Sequence, residues 1–167
     1  MADSTPTLAD NGKPFESVWD YPRPPRVERV PWRIVVEHGG HTIVDAPHAL
    51  RVLETSQPPA YYVDPQYVDQ RLLAPSTTTT FCEWKGRATY VDLVVDGRRV
   101  IDAGWRYDRP TTPCRELTGH YAFYPQKVDR CYVDDELVAP NEGGFYGGWI
   151  TANVTGPFKG GPGTTHW

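Results

Sequence analysis

The chain has no paired cysteines, no long apolar run and no excess of positive charge, and each absence removes a class of function. Its three cysteines, Cys82, Cys114 and Cys131, are odd in number and widely spaced. That pattern fits neither a disulfide-stapled scaffold nor a structural zinc site built on short Cys spacings. His38 and His41 sit three apart in a turn-forming stretch, and there is no His-x-x-x-His run. No metal and no cofactor is therefore expected. No segment approaches membrane-spanning length, and the N-terminus lacks a charged region followed by an apolar one. The expectation is a cytoplasmic protein with reduced thiols and no membrane partner. A formal net charge of −4 and a pI near 5.7 argue against gripping a phosphate backbone, so no nucleic-acid partner is expected. The GxSxG elbow, the phosphate loop and HExxH are also missing. Nothing in the sequence fixes the oligomeric state.

What is present is aromatic surface. The 167 residues suit one domain, and ten Tyr with six Trp give rings that carry polar handles, as amphipathic pockets require. The last stretch, 141–167, alternates glycine pairs with large rings: Gly143-Gly144-Phe145-Tyr146-Gly147-Gly148-Trp149. It is too flexible to hold itself together and too aromatic for a solvated tail. It reads as a wrap over a domain formed earlier, packing there or presenting Phe145, Tyr146 and Trp149 near a pocket mouth, with Lys159 able to approach a ligand from the same side.

Residues 1–13 are polar and aperiodic and read as a disordered lead-in; residues 14–167 read as one domain. Residues 14–31 form a Pro-rich arm, with Trp19 and Tyr21 as anchors on the domain. A hairpin is predicted at Trp32–Glu37 and His41–Asp45, about His38-Gly39-Gly40. Two short helices should follow, one in PHALRVLETS from Pro47 and one in DPQYVDQRLL with Asp64 as N-cap and Pro65 at N1. Strands are then predicted at Thr77–Trp84, Arg87–Val95, Arg98–Tyr107 and His120–Tyr124, and in a last hairpin at Arg130–Val133 and Glu136–Val138. The fold class is all-β, mainly antiparallel, with two short helices.

Candidate site residues are charges among rings. On the predicted first helix, Arg51 and Glu54 lie three apart and share a face. Glu83 and Lys85 flank Trp84 on a predicted strand, so the two charges point one way and the indole the other. Trp105 and Tyr107 share a face, with Tyr90 nearby. Together with Tyr62 and Phe123, these residues would make an aromatic-lined cavity with a few charged anchors. Cys82 beside Lys85 is a candidate nucleophile, or else a small buried hydrophobe.

Four blocks carry a family resemblance: ALRVLETSQPPAYYVDP (Ala49 to Pro65), CEWKGRATY (Cys82 to Tyr90), AGWRYDRP (Ala103 to Pro110) and GHYAFYP with its following VD (Gly119 to Asp129). In order and spacing they resemble the core of the domain of unknown function 427 family of bacteria and fungi, in a longer-form branch. The resemblance implies a β-tent-like pair of antiparallel sheets leaning together over a pocket. Related tent folds bind zinc through two CxxC pairs, which this chain lacks. The family has no settled activity, and the Gly-Ser pair with spaced Asp residues of a nucleotidyltransferase is absent. The leading reading is a small-molecule-binding domain, in which Arg51 and Lys85 favour a ligand with an anionic or carbonyl group. Two others stay open: a hydrolase or lyase with Glu54 or Glu83 as base and Lys85 or Tyr90 as acid, and a protein-interaction module using the arm or the tail.

Overall fold

Tight turns organise the chain into hairpins. The computed structural model describes residues 7–143 and 146–167. Its strands, in chain order, are β1 (Glu16–Ser17), β2 (Arg26–Val30), β3 (Ile34–His38), β4 (His41–Ala46), β5 (Ala49–Leu53), β6 (Ala60–Tyr62), β7 (Leu73–Cys82), β8 (Gly86–Val95), β9 (Arg98–Arg106), β10 (Tyr121–Phe123), β11 (Arg130–Val133), β12 (Glu136–Leu137), β13 (Ala139–Pro140), β14 (Trp149–Ile150) and β15 (Val154–Thr155). Between β8 and β9, Asp96 and Gly97 both take positive φ, as a type I′ turn demands of an Asp-Gly pair. The β7–β8 connection is a three-residue turn, Glu83 to Lys85, leading into Gly86 at φ +106°.

Two four-stranded sheets, ordered β10-β9-β8-β7 and β12-β11-β3-β4, enclose the main core with Ile34, Val36, Val44, Leu93, Phe123 and Trp149 at its centre. A three-stranded sheet, β2-β5-β6, stands beside them, and Val63 just beyond β6 pairs with Tyr121 of β10. The fold is all-β and mainly antiparallel, as the sequence predicts. Register decides what each face of the large sheet does. Tyr90, Trp105 and Ala122 lie side by side, as do Val91, Gly104 and Phe123 one position along. Side chains alternate across a sheet, so the second row enters the core and the first faces the opposite way, toward β5 and β6.

Neither predicted helix forms. The first is β5, the middle strand of its sheet, with every residue from Ala49 to Leu53 buried. A short run that is apolar on both sides has no period that separates helix from central strand. The second is two single 3₁₀ turns, Pro65–Tyr67 and Gln70–Leu72, capped by Asp64 and Asp69. Val68 and Asp69 between them are drawn onto β4: Val68 bridges Val44, and the Asp69 amide donates to the Ile43 carbonyl at 2.8 Å. Tertiary pairing overrides helical propensity there.

Residues 7–13, expected as part of a disordered lead-in, are described in contact with the domain. Leu8 bridges Pro14, and the Lys13 ammonium meets Asp134 at 2.7 Å and lies over the Trp32 ring; residues 1–6 lie outside the described part. The Pro-rich arm is laid on the domain. Its β2 pairs with β5, Tyr21 is buried, and Thr55 Oγ1 donates to the Tyr21 carbonyl at 2.6 Å. Trp19 is more exposed and donates its Nε1–H to the Pro157 carbonyl at 2.8 Å. The tail returns to meet the arm, with β15 running parallel to β1. Among the described residues, no helix is long and apolar enough to cross a membrane.

Candidate functional site

A cavity of about 310 Å³ opens between the outward face of the large sheet, the edge of the β5–β6 pair and the tail. The large sheet supplies Tyr90 from β8, Trp105 from β9, and Tyr107 and Tyr124 just beyond β9 and β10. Strand parity supplies the opposite wall. Val52 and Glu54 alternate with Arg51 and Leu53, and Ala60 and Tyr62 alternate with Tyr61. The even-numbered residues therefore face the cavity, and Arg51 and Tyr61 face away from it. The tail closes the third side with Tyr146, Gly147, Gly148 and Lys159. Its two glycines are steric requirements. A Cβ on Gly147 would fall 2.3 Å from Trp105 Cη2, and one on Gly148 would fall 2.5 Å from the Pro58 carbonyl oxygen.

The rings fix one another. Trp105 donates Nε1–H to the Tyr62 hydroxyl at 3.0 Å, meets that ring edge-on, and lies 4.6 Å from the Tyr124 ring. Tyr90 shares a hydrogen bond with Thr80 Oγ1 at 3.0 Å. Burial raises Tyr62, Tyr107 and Tyr124 above the ordinary phenol range, so all three stay protonated at neutral pH and can donate as well as accept.

The charged end is Lys85 and Glu54. Their side chains are 13% and 15% exposed, and Nζ lies 3.7 Å from Oε2. That spacing is an ion pair but too long for a hydrogen bond, and neither head group makes one among the described residues. Burial alone pulls the Lys85 ammonium down; acidic Tyr62 and Glu54 beside it outweigh that pull and hold it above the ordinary lysine value. The result is a desolvated cation and a carboxylate facing a cavity with their hydrogen-bonding capacity unspent.

Of the residues expected at a site, the structure brings together Glu54, Tyr62, Lys85, Tyr90, Trp105 and Tyr107. Four are elsewhere. Arg51, 4% exposed, points to the other side of β5, where its guanidinium pairs with Glu16 and Glu28 and lies over Trp32. The helix that would have put Arg51 and Glu54 on one face is a strand, which separates them. Glu83 and Trp84 belong to the β7–β8 turn rather than to a strand and are exposed, while Lys85 turns inward. Phe123 pairs with Gly104 on the core face. Trp149, expected near the pocket mouth, is 1% exposed in the main core and donates Nε1–H to the Phe123 carbonyl at 3.0 Å. Phe145 lies outside the described residues. Sequence reasoning missed Tyr124 as a site residue, although its alternation with Phe123 would have found it once the facing of β10 was known. It also missed Thr80, Gln57 and Pro58, which carry no signal in a single sequence.

Among the described residues, no three His, Cys, Asp or Glu side chains are grouped so as to hold a metal ion. No curated protein matches the chain. A family profile described as a domain of unknown function, DUF427, matches residues 26–134, which takes in both charged anchors and Tyr62, Tyr90, Trp105, Tyr107 and Tyr124. With more than half its length matched, the chain belongs to the DUF427 family.

Proposed function

We propose that this protein is a small-molecule-binding β domain whose ligand enters the tyrosine-lined cavity and is anchored by Lys85 and Glu54. The observation that carries the reading is the open ion pair. Desolvating two charges costs several kcal/mol per ion unless good geometry and further hydrogen bonds repay it, and at 3.7 Å with no hydrogen bond this pair leaves that compensation unmade. A ligand that bonds both head groups supplies it. The surrounding rings, contributed by β6, β8, β9, the ends of β9 and β10 and the tail, provide the apolar contact and fixed polar handles of a ligand site.

The test is a thermal-shift screen of a metabolite library, followed by titration of the hits against Lys85→Ala and Glu54→Ala. Hits should raise the melting temperature of the wild type and lose that effect in both variants. A library without hits, or hits that stabilise both variants as well as the wild type, would sink the reading.

A second reading is favoured by Glu54 itself, a mostly buried carboxylate that shares the cavity with Lys85 and Tyr90. In an acid–base enzyme Glu54 would accept a proton and Tyr90 or Lys85 would return one. Glu83, exposed on its turn, drops out of that scheme. Incubation with each hit and mass spectrometry separates the two readings. Turnover that Glu54→Gln abolishes, with binding retained, marks an enzyme; an unchanged compound marks a binding domain.

A further inference from the structure

We infer, resting on the binding reading above, that the ligand is an organic monoanion with a flat apolar body, of the chemical class of an aromatic carboxylate. The charges lining the cavity are Lys85, Lys159 and Glu54, a balance of +1. One bound carboxylate brings the count to two cations and two anions. A neutral ligand leaves the cation excess unmatched, and a cationic one doubles it.

Hydrogen-bond capacity points the same way. Lys85 has three N–H donors and no hydrogen-bonded partner among the described residues. Lys159 spends one donor on the Trp167 main-chain oxygen at 3.3 Å. This end of the cavity is rich in donors and has one strong acceptor, Glu54.

The obvious rival is a cation held against the ring faces. Two of those rings already carry one: Lys127 Nζ lies 4.9 Å over Tyr124, and Lys159 Nζ lies 5.4 Å over Tyr146. A further cation would meet Lys85 and Lys159 in the cavity against the single carboxylate of Glu54. A planar apolar body, in contrast, fits the walls left by Trp105 and Tyr107, whose side chains stand on the same face.

Three isosteric probes decide the matter by calorimetric titration: 2-naphthoate, 2-naphthamide and 2-naphthylmethylammonium. The naphthoate should bind about tenfold or more tightly than the amide, the worth of a charge-assisted hydrogen bond, and the ammonium should bind weakest. Lys85→Met and Lys159→Met should each weaken the naphthoate about tenfold and leave the amide unchanged. Lys159, on the tail, keeps the test alive if Lys85→Met fails to fold. Equal binding of amide and naphthoate, or tightest binding of the ammonium, overturns the anion assignment while the cavity stands as a binding site. If none of the probes binds but library hits do, the anion assignment alone falls. If neither probes nor library compounds bind, the binding reading falls with it.

Discussion

Gly147→Ala tests whether the tail walls the cavity, because one added methyl must collide with Trp105. Gly147 does not take a positive φ, so no backbone strain enters. Where space is free, Gly→Ala stabilises a protein by about 0.4–1 kcal/mol through the unfolded chain. Here the methyl would sit 2.3 Å from Trp105 Cη2, 2.8 Å from Cζ3 and 3.1 Å from Tyr124 Cδ1, against an ordinary carbon–carbon contact of about 3.5–4.0 Å. The indole cannot yield cheaply: it is 7% exposed, tied by Nε1 to Tyr62 and packed on Tyr124. The tail cannot lift cheaply either, since the Trp149 amide donates to the Pro59 carbonyl at 2.7 Å and its ring is buried. Overpacking of this kind costs about 1–3 kcal/mol, and at about 2–4 °C per kcal/mol for a chain of this size the melting temperature should fall by roughly 2–12 °C. The partner variant is Trp105→Phe, which removes the atoms that collide. In a double-mutant cycle by calorimetry and urea unfolding, the cost of Gly147→Ala should shrink in the Trp105→Phe background, a coupling of about 1–2 kcal/mol. An unchanged or raised melting temperature for Gly147→Ala, or an equal cost in both backgrounds, refutes the packing of the tail on Trp105.

Arg51→Met should cost about 3 kcal/mol, near the low end for breaking a buried pair because Glu16 and Glu28 keep partial access to water; urea unfolding reads it, and the cavity's ligands should bind as before. Asp92 is buried and accepts from the Asp102 amide and Arg99 Nε, each at 2.8 Å. Burial pushes its carboxyl up, but these donors outweigh it and hold it below the ordinary range. A depressed folded pKa means stability that is present above the unfolded value near 3.9 and lost as pH falls through the folded one. Asp92→Asn should therefore cost about 1–3 kcal/mol at pH 7 and progressively less below pH 4, and a deficit constant with pH would contradict the account. Burial pushes the Cys131 thiol up to about 12 and raises Cys114 as well, whereas half-buried Cys82 lines the cavity. An aromatic disulfide reagent should then modify one thiol in the native protein and none in Cys82→Ser, read by absorbance and intact mass.

The hairpins were legible because their turns are chemically specific: Asp96-Gly97 and Gly39-Gly40 take the positive φ that such turns require. The site was legible only where alternation within one strand sufficed. Trp105 and Tyr107 share a face because they are two apart, and the pairing of Tyr90 with Trp105 extends that face to the next strand. Phe123 was misplaced because a strand's parity shows which residues travel together but not which face meets the core. Arg51 was misplaced for a related reason. In ALRVL the periodic signal is lost, and the same five residues serve a helix with Arg51 near Glu54 or a strand with them apart. What decides is the pairing of β5 with β2 and β6, partners far off in sequence. The acceptors that Arg51 finds, Glu16 and Glu28, lie in a Pro-rich arm whose sequence announces extension but not destination.

The cavity is built by two parts of the chain in different ways. Its charged anchors and most of its rings come from strands and the turns and strand ends beside them within residues 26–134, the span of the family match. Their positions follow from the pairing of those strands, which a single side-chain change does not move. Tyr146, Gly147, Gly148 and Lys159 lie beyond that span, on a segment with few ladder hydrogen bonds, placed by steric fit and by its anchors at Pro59 and Phe123. The β7–β8 turn and the end of β5 fix where Lys85 and Glu54 point, whereas the tail fixes how far they are shielded from water. Lys85 is desolvated enough to discriminate an anion from its neutral isostere only while that wall is in place, since the same charge in open solvent is screened to a fraction of its worth. Loosening the tail should therefore act on selectivity before it acts on the apolar part of binding. In Gly147→Ala, the preference for 2-naphthoate over 2-naphthamide should narrow, while the affinity for the amide changes little. A preference that survives the loosened wall would mean that Lys85 and Glu54 discriminate without the tail's shielding.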